Sequence, residues 1–156
     1  MGFHAWYFFD VRGNTVGKIK GISHITLICK DLGKSARLFC ELFGAEEVYS
    51  SEGRNFSISK EKFLIVGDLW IALMEGQPVE RSYNHIAFQI EEEDVPIFEA
   101  KIRALGLEGG PTRNRRLEEG QSIYFYDYDN HLFELHTGNL STRVDYYRNN
   151  SYDHTL

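Results

Sequence analysis

The chain has 156 residues, of which 42% are hydrophobic and 26% charged, and its formal net charge is −6. This composition is typical of a soluble globular protein, and the length suits one compact domain or two small modules that share a core. The acidic balance, without a long basic run, excludes nucleic acid as the main partner. No apolar stretch approaches the ~20 residues of a membrane helix.

The first 18 residues are interpreted as an appended leader, because the regular pattern begins only afterwards. This segment is aromatic, but it lacks the basic start and small-residue cleavage site of a signal peptide. Cys29 and Cys40 are expected to be buried free thiols in a reducing cytosol. A disulfide between them is the less favoured alternative. The predicted location is therefore cytoplasmic.

The first predicted strand begins at His24, in an alternating run of apolar and polar residues. A helix is predicted over residues 32–43, with Asp31 as its N-cap and Gly44 as its end. Its apolar face consists of Leu32, Ala36, Phe39 and Phe43. Strands are then predicted near residues 47–49, 56–66 and 69–74.

The second half repeats this pattern, starting from His85, which lies 61 residues after His24. A helix is predicted over residues 95–105, with Asp94 as its cap, Pro96 in its first turn and Gly106 at its end. Short strands are predicted near residue 107 and over 122–126 and 131–136.

Each half therefore reads as a βαβββ module, and the predicted fold class is α+β, with two modules forming a curved mixed sheet. The modules span about 21–76 and 82–138, within a single domain over 19–140. Residues 141–156 are predicted to form a C-terminal helix and tail. Because each helix covers one face of its sheet, the other face is free to line a pocket.

Strand alternation predicts which side chains reach that pocket. They include His24, Thr26, His85, Ser122, Tyr124, Glu134 and His136. Two imidazoles and a carboxylate with open positions form a common catalytic site for a divalent metal. Either histidine alone would more often be a hydrogen-bonded structural residue, but the repeat places both at equivalent positions. Ala72 aligns with Glu134, which leaves room for an exogenous ligand in place of a fourth protein ligand.

Two further histidines compete for the role of metal ligand. His131 lies in a turn-like segment, and His136 shares a face with Glu134 one pleat further along. Both are interpreted as supporting residues, with His24, His85 and Glu134 as the metal ligands.

Five blocks of sequence resemble one known family. They are GISHITL at 21–27, FSISKEKF at 56–63, ERSYNHIAF at 80–88, QSIYFYD at 121–127 and NHLFELHTG at 130–138. Residues 21–147 thereby resemble the vicinal-oxygen-chelate superfamily, and within it the fosfomycin resistance enzymes of the epoxide-hydrating FosX type. The resemblance implies the paired-module fold of that superfamily.

The resemblance also implies a cofactor and an assembly. His24, His85 and Glu134 match the family's ligands for manganese(II), although another divalent metal is possible. The family is dimeric with shared active sites. His24 would thus come from one subunit, and His85 with Glu134 from the other.

The remaining roles concern the substrate, a small phosphonate epoxide. Glu61 matches the carboxylate that distinguishes the hydrolases, and Thr26 matches a residue beside the reacting carbon. The matches to phosphonate-binding positions are Ser122, Tyr124 and Arg143, and the loop arginines Arg113 and Arg115 are available to assist. Arginine suits this role because its planar fork fits the phosphonate oxygens.

The mechanism that follows is metal-assisted hydration, with Glu61 taking a proton from the attacking water. A direct Glu61 ester is a less favoured variant. Three alternatives stay open on this fold, which hosts many reactions. They are thiol transfer to fosfomycin, a non-catalytic antibiotic-binding protein, and a glyoxalase-like isomerase, against which the absence of a fourth ligand at Ala72 argues.

Overall fold

Two four-stranded mixed sheets, one from each half of the chain, form the framework of the computed structural model. The structure describes residues 19–54, 56–111 and 119–150. The predicted leader, over residues 1–18, and the loop arginines Arg113 and Arg115 lie outside the described residues. The α+β fold class with two βαβββ modules is confirmed.

The first module begins with strand β1 (His24–Cys29), helix α1 (Leu32–Phe43) and strand β2 (Glu46–Ser50). Strands β3 (Glu61–Val66) and β4 (Leu69–Glu75) complete its sheet, in the order β1-β4-β3-β2, with β1 parallel to β4. The predicted strand over 56–66 starts late, because Phe56 and Ile58 project into solvent from a loop. Helix α1 has its predicted ends: Asp31 accepts a hydrogen bond from the Lys34 amide, and Gly44 adopts a φ of 66°.

The second module repeats the topology with strand β5 (His85–Gln89), helix α2 (Val95–Ala104) and strand β6 (Glu108–Gly109). Strands β7 (Ser122–Tyr126) and β8 (Leu132–His136) complete the order β5-β8-β7-β6. The prediction that Asp94 caps α2 is wrong, since its side chain makes no capping hydrogen bond. Asp94 ends a short 3₁₀ helix (Glu92–Asp94), so its backbone is already helical. An N-cap residue needs an extended backbone for its side chain to accept a hydrogen bond from the amides of the first turn.

Helix α3 (Leu140–Asn149) follows β8, and the Asn139 side chain caps it by accepting from the Thr142 amide at 3.0 Å. Among residues 19–54, 56–111 and 119–150, no helix is long and apolar enough to cross a membrane.

One face of helix α1 packs against residues of both modules. Its buried face is wider than predicted, because Leu38 and Leu42 are as deeply buried as Phe39. At its C-terminal end, the Phe43 ring lies 4.8 Å from that of Phe88 and 5.6 Å from that of Phe133. The two modules thus share one hydrophobic core, and the strand faces turned away from α1 and α2 are left for the site.

The two cysteines are both free, but only one is buried. Cys29 is in the core, whereas Cys40 is exposed on α1, so the expectation that both thiols are buried is wrong for Cys40. Position 40 points away from the face that packs on the sheets. Burial raises the pKa of the Cys29 thiol to about 12, against the opposing effect of a hydrogen bond with Ser35.

Iodoacetamide at pH 8 is expected to modify Cys40 and spare Cys29, because the thiolate is the reacting form. With a pKa of about 12, roughly one Cys29 thiol in ten thousand is ionised at that pH. Mass spectrometry of the intact protein should show one adduct, and protein unfolded in guanidinium should show two. A native protein that carries its adduct on Cys29 would contradict the buried position.

Candidate active site

The second module gathers four of the predicted site residues on one face of its sheet. In the register of β5, β8 and β7, Glu134 pairs with Ala87 on one side and with Tyr124 on the other. Ser122 pairs with His136 in the next row. Phe125 and Phe133 point to the core instead, as the alternation predicts. His85, Glu134, Ser122 and Tyr124 are therefore brought together, as expected.

His85 is oriented by the residue two positions before it. Its Nδ1 lies 2.8 Å from the carbonyl oxygen of Tyr83, which can only accept, so Nδ1 carries the proton. In the neutral ring, Nε2 then has a free electron pair, and it faces Oε2 of Glu134 at 3.0 Å. The rings of Tyr83 and Tyr124 lie 5.1 and 5.5 Å from the His85 ring, both edge-to-face. An imidazole nitrogen and a carboxylate oxygen facing each other are donors that a divalent transition metal takes.

The second carboxylate oxygen of Glu134 is held by a neighbour on β7. Ser122 Oγ donates to Oε1 at 2.5 Å, and the same hydroxyl lies 2.8 Å from His136 Nδ1. Glu134 is only 4% exposed. Hydrogen bonds to a buried ligand carboxylate fix its orientation, so this arrangement leaves Oε2 directed at His85.

Arg143 reaches the same cluster from helix α3. Its terminal guanidinium nitrogen Nη2 lies 2.8 Å from His136 Nε2. The cap at Asn139 starts α3 immediately after β8, and this places Arg143 one turn into the helix beside the sheet face. A cation, a hydroxyl and a carboxylate thus lie within one hydrogen-bonded group, which suits a ligand that carries both an anionic group and a metal-binding oxygen.

The first module presents a related face with different chemistry. On β1 and β4, His24 pairs with Trp70 and Thr26 with Ala72, while on β3 Glu61 pairs with Met74. The His24 ring lies 4.4 Å from the Trp70 ring. Glu61 is thus two rows of side chains from His24, and the row between them holds Thr26, Ala72 and Phe63. Glu61 is 8% exposed.

Comparison of the two registers confirms that Ala72 is the counterpart of Glu134. Thr26 pairs with Ala72 in the first module, as Ala87 pairs with Glu134 in the second. By the same comparison, Glu61 is the counterpart of Ser122. Each module therefore carries a histidine at the start of its first strand, but the carboxylates stand at different positions.

The three predicted metal ligands do not meet within one chain. His85 and Glu134 are in contact, whereas His24 lies on the other sheet against Trp70. Over residues 19–54, 56–111 and 119–150, no group of three His, Cys, Asp or Glu side chains is placed to hold a metal. A three-ligand site of this composition therefore needs His24 from a second chain.

Two residues that sequence reasoning left in minor roles or missed have clear contacts here. His136 bonds to Ser122 and Arg143, and Tyr83 orients His85 through its carbonyl. Strand alternation signalled the face of His136, but its bond to Arg143 depends on where α3 packs. No side-chain pattern signals a backbone carbonyl such as that of Tyr83.

Gly138 allows the chain to pass close to this cluster. A Cβ at this position would lie 2.6 Å from the carbonyl oxygen of Glu119 and 2.7 Å from His136 Nε2. Gly138→Ala is expected to lower the free energy of unfolding by about 1–3 kcal/mol, because backbone must move to relieve the overlap. Chemical denaturation measures this. Gly109→Ala is the matched control, since no atom lies within 4 Å of its Cβ, and an equal loss in both variants would contradict the explanation.

Comparison with known proteins identifies the family. The sequence profile of the Glyoxalase/Bleomycin resistance protein/Dioxygenase superfamily matches residues 21–135. The chain belongs to this superfamily. The glyoxalase superfamily match spans both modules, so both sheet faces described above are part of its fold.

Within the glyoxalase superfamily, strong similarity is to fosfomycin resistance proteins. The chain is 55% identical over 130 residues to fosfomycin resistance protein FosX of Listeria innocua, covering 83% of this chain and 98% of that protein. A crystal structure of a FosX variant from Listeria monocytogenes, complexed with Mn(II) and 1S,2S-dihydroxypropylphosphonic acid, superposes with a TM-score of 0.76. It is 53% identical and covers 83% of this chain and 99% of that one. Similarity to the metallothiol transferase FosB of Bacillus licheniformis is lower, at 36% identity over 85% of this chain and 84% of that protein.

Proposed function

We propose that this protein confers fosfomycin resistance by Mn(II)-dependent addition of water to the fosfomycin epoxide, which forms a vicinal diol phosphonate. The observation that carries the proposal is the cluster of His85, Glu134, Ser122 and Arg143, in which His136 joins Arg143 to Ser122. It sets a metal-binding pair beside an anion-binding group, and fosfomycin carries an epoxide oxygen beside a phosphonate. The relatives support the choice of reaction, since the diol phosphonate in the FosX crystal structure is the compound that hydration of fosfomycin forms.

The metal site is proposed to be shared between two subunits. His85 and Glu134 fit a divalent cation, because Nδ1 of His85 is committed to Tyr83 and its Nε2 faces Oε2 of Glu134, so that one ion could bind both atoms. His24 of a second subunit would supply the third ligand. When bound, the cation supplies Lewis-acid polarisation of the epoxide carbon–oxygen bond. Two imidazoles and one carboxylate leave coordination positions open for the substrate.

Glu61 is proposed as the general base. Water would add its oxygen to the carbon that bears phosphorus while Glu61 takes its proton, and the ring oxygen becomes the second hydroxyl after protonation. Glu61 and Thr26 lie on the same face as His24, so a second subunit that supplies His24 also supplies these two residues. Thr26, in the row between them, would border the reacting carbon.

The phosphonate is proposed to bind at Arg143, Ser122 and Tyr124. Arg143 provides the positive charge, and the Tyr124 hydroxyl provides a neutral donor. Ser122 would border the phosphonate, since its single hydroxyl proton is donated to Glu134. Arg113 and Arg115, which precede β7 in the sequence, are proposed to add charge. We propose that the reaction takes place in the cytoplasm, in keeping with the two free thiols.

Phosphorus NMR of the products tests the proposed function. The dialysed protein is incubated with fosfomycin and Mn(II), with and without a thiol such as glutathione, and a chelator control removes the metal. The expected result is the diol phosphonate without thiol, at an unchanged rate when thiol is added, and no product with chelator. A thiol adduct as the sole product would establish thiol transfer instead. Bound fosfomycin without any product would establish an antibiotic-binding protein.

A further inference from the structure

The four side chains Arg143, His136, Ser122 and Glu134 form a continuous hydrogen-bonded chain, and its two ends are a cation and a carboxylate. The distances along it are 2.8 Å from Arg143 to His136 Nε2, 2.8 Å from His136 Nδ1 to Ser122, and 2.5 Å from Ser122 to Glu134. The His136 ring contacts Arg143 through one nitrogen and Ser122 through the other. Its ring therefore connects the residue proposed to bind the phosphonate with the residue proposed to bind the metal.

The chemistry of the two ends fixes the direction of every bond. A guanidinium can only donate, so His136 Nε2 accepts from Arg143. The proton of the neutral ring is then on Nδ1, which is also 3.0 Å from the acceptor-only carbonyl of Gln121. A carboxylate can only accept, so Ser122 donates to Glu134 and accepts from His136. All three bonds thus point from Arg143 towards Glu134, and aligned bonds of this kind strengthen one another where water is partly excluded, as it is here.

We propose that His136 is a positioning residue that acts at both ends of this chain. Through Nε2 it holds the Arg143 guanidinium at the anion-binding position. Through Nδ1 it holds the Ser122 hydroxyl in the orientation that keeps Oε2 of Glu134 turned to His85. This inference rests on the proposed function, in that it takes Arg143 as an anion-binding residue and Glu134 as a metal ligand.

The two amide side chains can separate these two roles of His136. A glutamine oxygen reaches the position of Nε2 and keeps the acceptor for Arg143, but it offers no donor at the position of Nδ1. An asparagine nitrogen takes the position of Nδ1 and keeps the donor for Ser122, but it does not reach Arg143. Ring loss is common to both variants, so packing alone cannot distinguish them.

The experiment uses the full-length wild type, His136→Asn and His136→Gln, each checked by circular dichroism and by gel filtration. Titration calorimetry gives the Kd for methylphosphonate on metal-free protein, and electron paramagnetic resonance of free Mn²⁺ gives the Kd for Mn²⁺ without anion. His136→Asn is expected to raise the methylphosphonate Kd about tenfold and the Mn²⁺ Kd less than threefold. His136→Gln is expected to raise the Mn²⁺ Kd about tenfold and the methylphosphonate Kd less than threefold. Residues that hold a metal ligand in place typically contribute about 10–100-fold to metal affinity.

Two results would overturn the proposal. One is that both variants weaken both ligands to the same extent, which is the result of a merely structural ring. The other is that neither variant changes either Kd. The proposed function can fail separately. Suppose that the wild type forms no diol, but each His136 variant weakens a different ligand: the positioning role would then stand, and the assignment of fosfomycin as substrate would fail. If the wild type forms diol but the two variants do not differ in this way, only the proposed role of His136 would fail.

Discussion

Glu61→Gln is expected to lower the rate of diol formation by about two to four orders of magnitude, which is the usual contribution of a general base. Glutamine keeps the volume of this nearly buried side chain but has no basic oxygen to take the proton from water. His24, His85 and Glu134 are unchanged, so the affinity for Mn²⁺ should stay within about twofold of the wild type. Phosphorus NMR follows the product, and electron paramagnetic resonance follows the metal.

Glu75→Gln is the matched control for the same change of charge. Glu75 lies at the end of β4, but it pairs at 3.7 Å with Lys60 at the surface and belongs to the opposite face of the sheet. Its loss should leave the rate of hydration within about twofold, since a solvated ion pair contributes little. Undiminished hydration by Glu61→Gln would remove Glu61 from the mechanism, whereas an equal drop in both variants would indicate a general effect of charge.

Mixing two inactive variants is expected to restore activity. His24→Ala and His85→Ala should each lack a metal ligand and form no diol. In a mixed dimer with shared sites, one site receives both intact histidines and the other receives neither. After unfolding and refolding of an equal mixture, half of the dimers are mixed, so the expected activity is about a quarter of that of the wild type.

The mixing experiment has an internal control. His85→Ala mixed with Glu134→Gln should stay inactive, because both substitutions fall on the ligand pair that one chain supplies. Failure of the His24 and His85 variants to complement would argue against a shared site. Recovery in the control mixture would show that His85 and Glu134 act from different subunits, contrary to the contact in the structure.

Much of this fold could be predicted from local pattern, because strand alternation and helix capping depend on near neighbours. The burial of Leu27, Phe125 and Phe133 follows from the two-residue period of a strand. The same period places His85 and Glu134 together on the face that is turned away from the core. Asp31 and Gly44 mark the ends of α1 because a cap acts within one turn. The faces of the proposed site were therefore predictable.

The connections between those faces were not predictable, because they depend on how distant elements pack. His136 is seven residues from Arg143, yet their bond requires α3 to return along the sheet face. Asp94 resembles a cap, but the preceding 3₁₀ helix takes its backbone out of the extended region. The proposed role of His24 depends on the proposed dimer, which no pattern within one chain specifies.

The position of Phe43 has a consequence for the integrity of the enzyme. Its ring completes the aromatic packing of the other repeat, against Phe88, Phe125 and Phe133. Neither repeat therefore has a self-sufficient interior, and a protease that cut between residues 77 and 81 would release two fragments with exposed apolar surfaces. We expect such fragments to aggregate unless they remain together, so resistance would depend on an uncut connection between the halves.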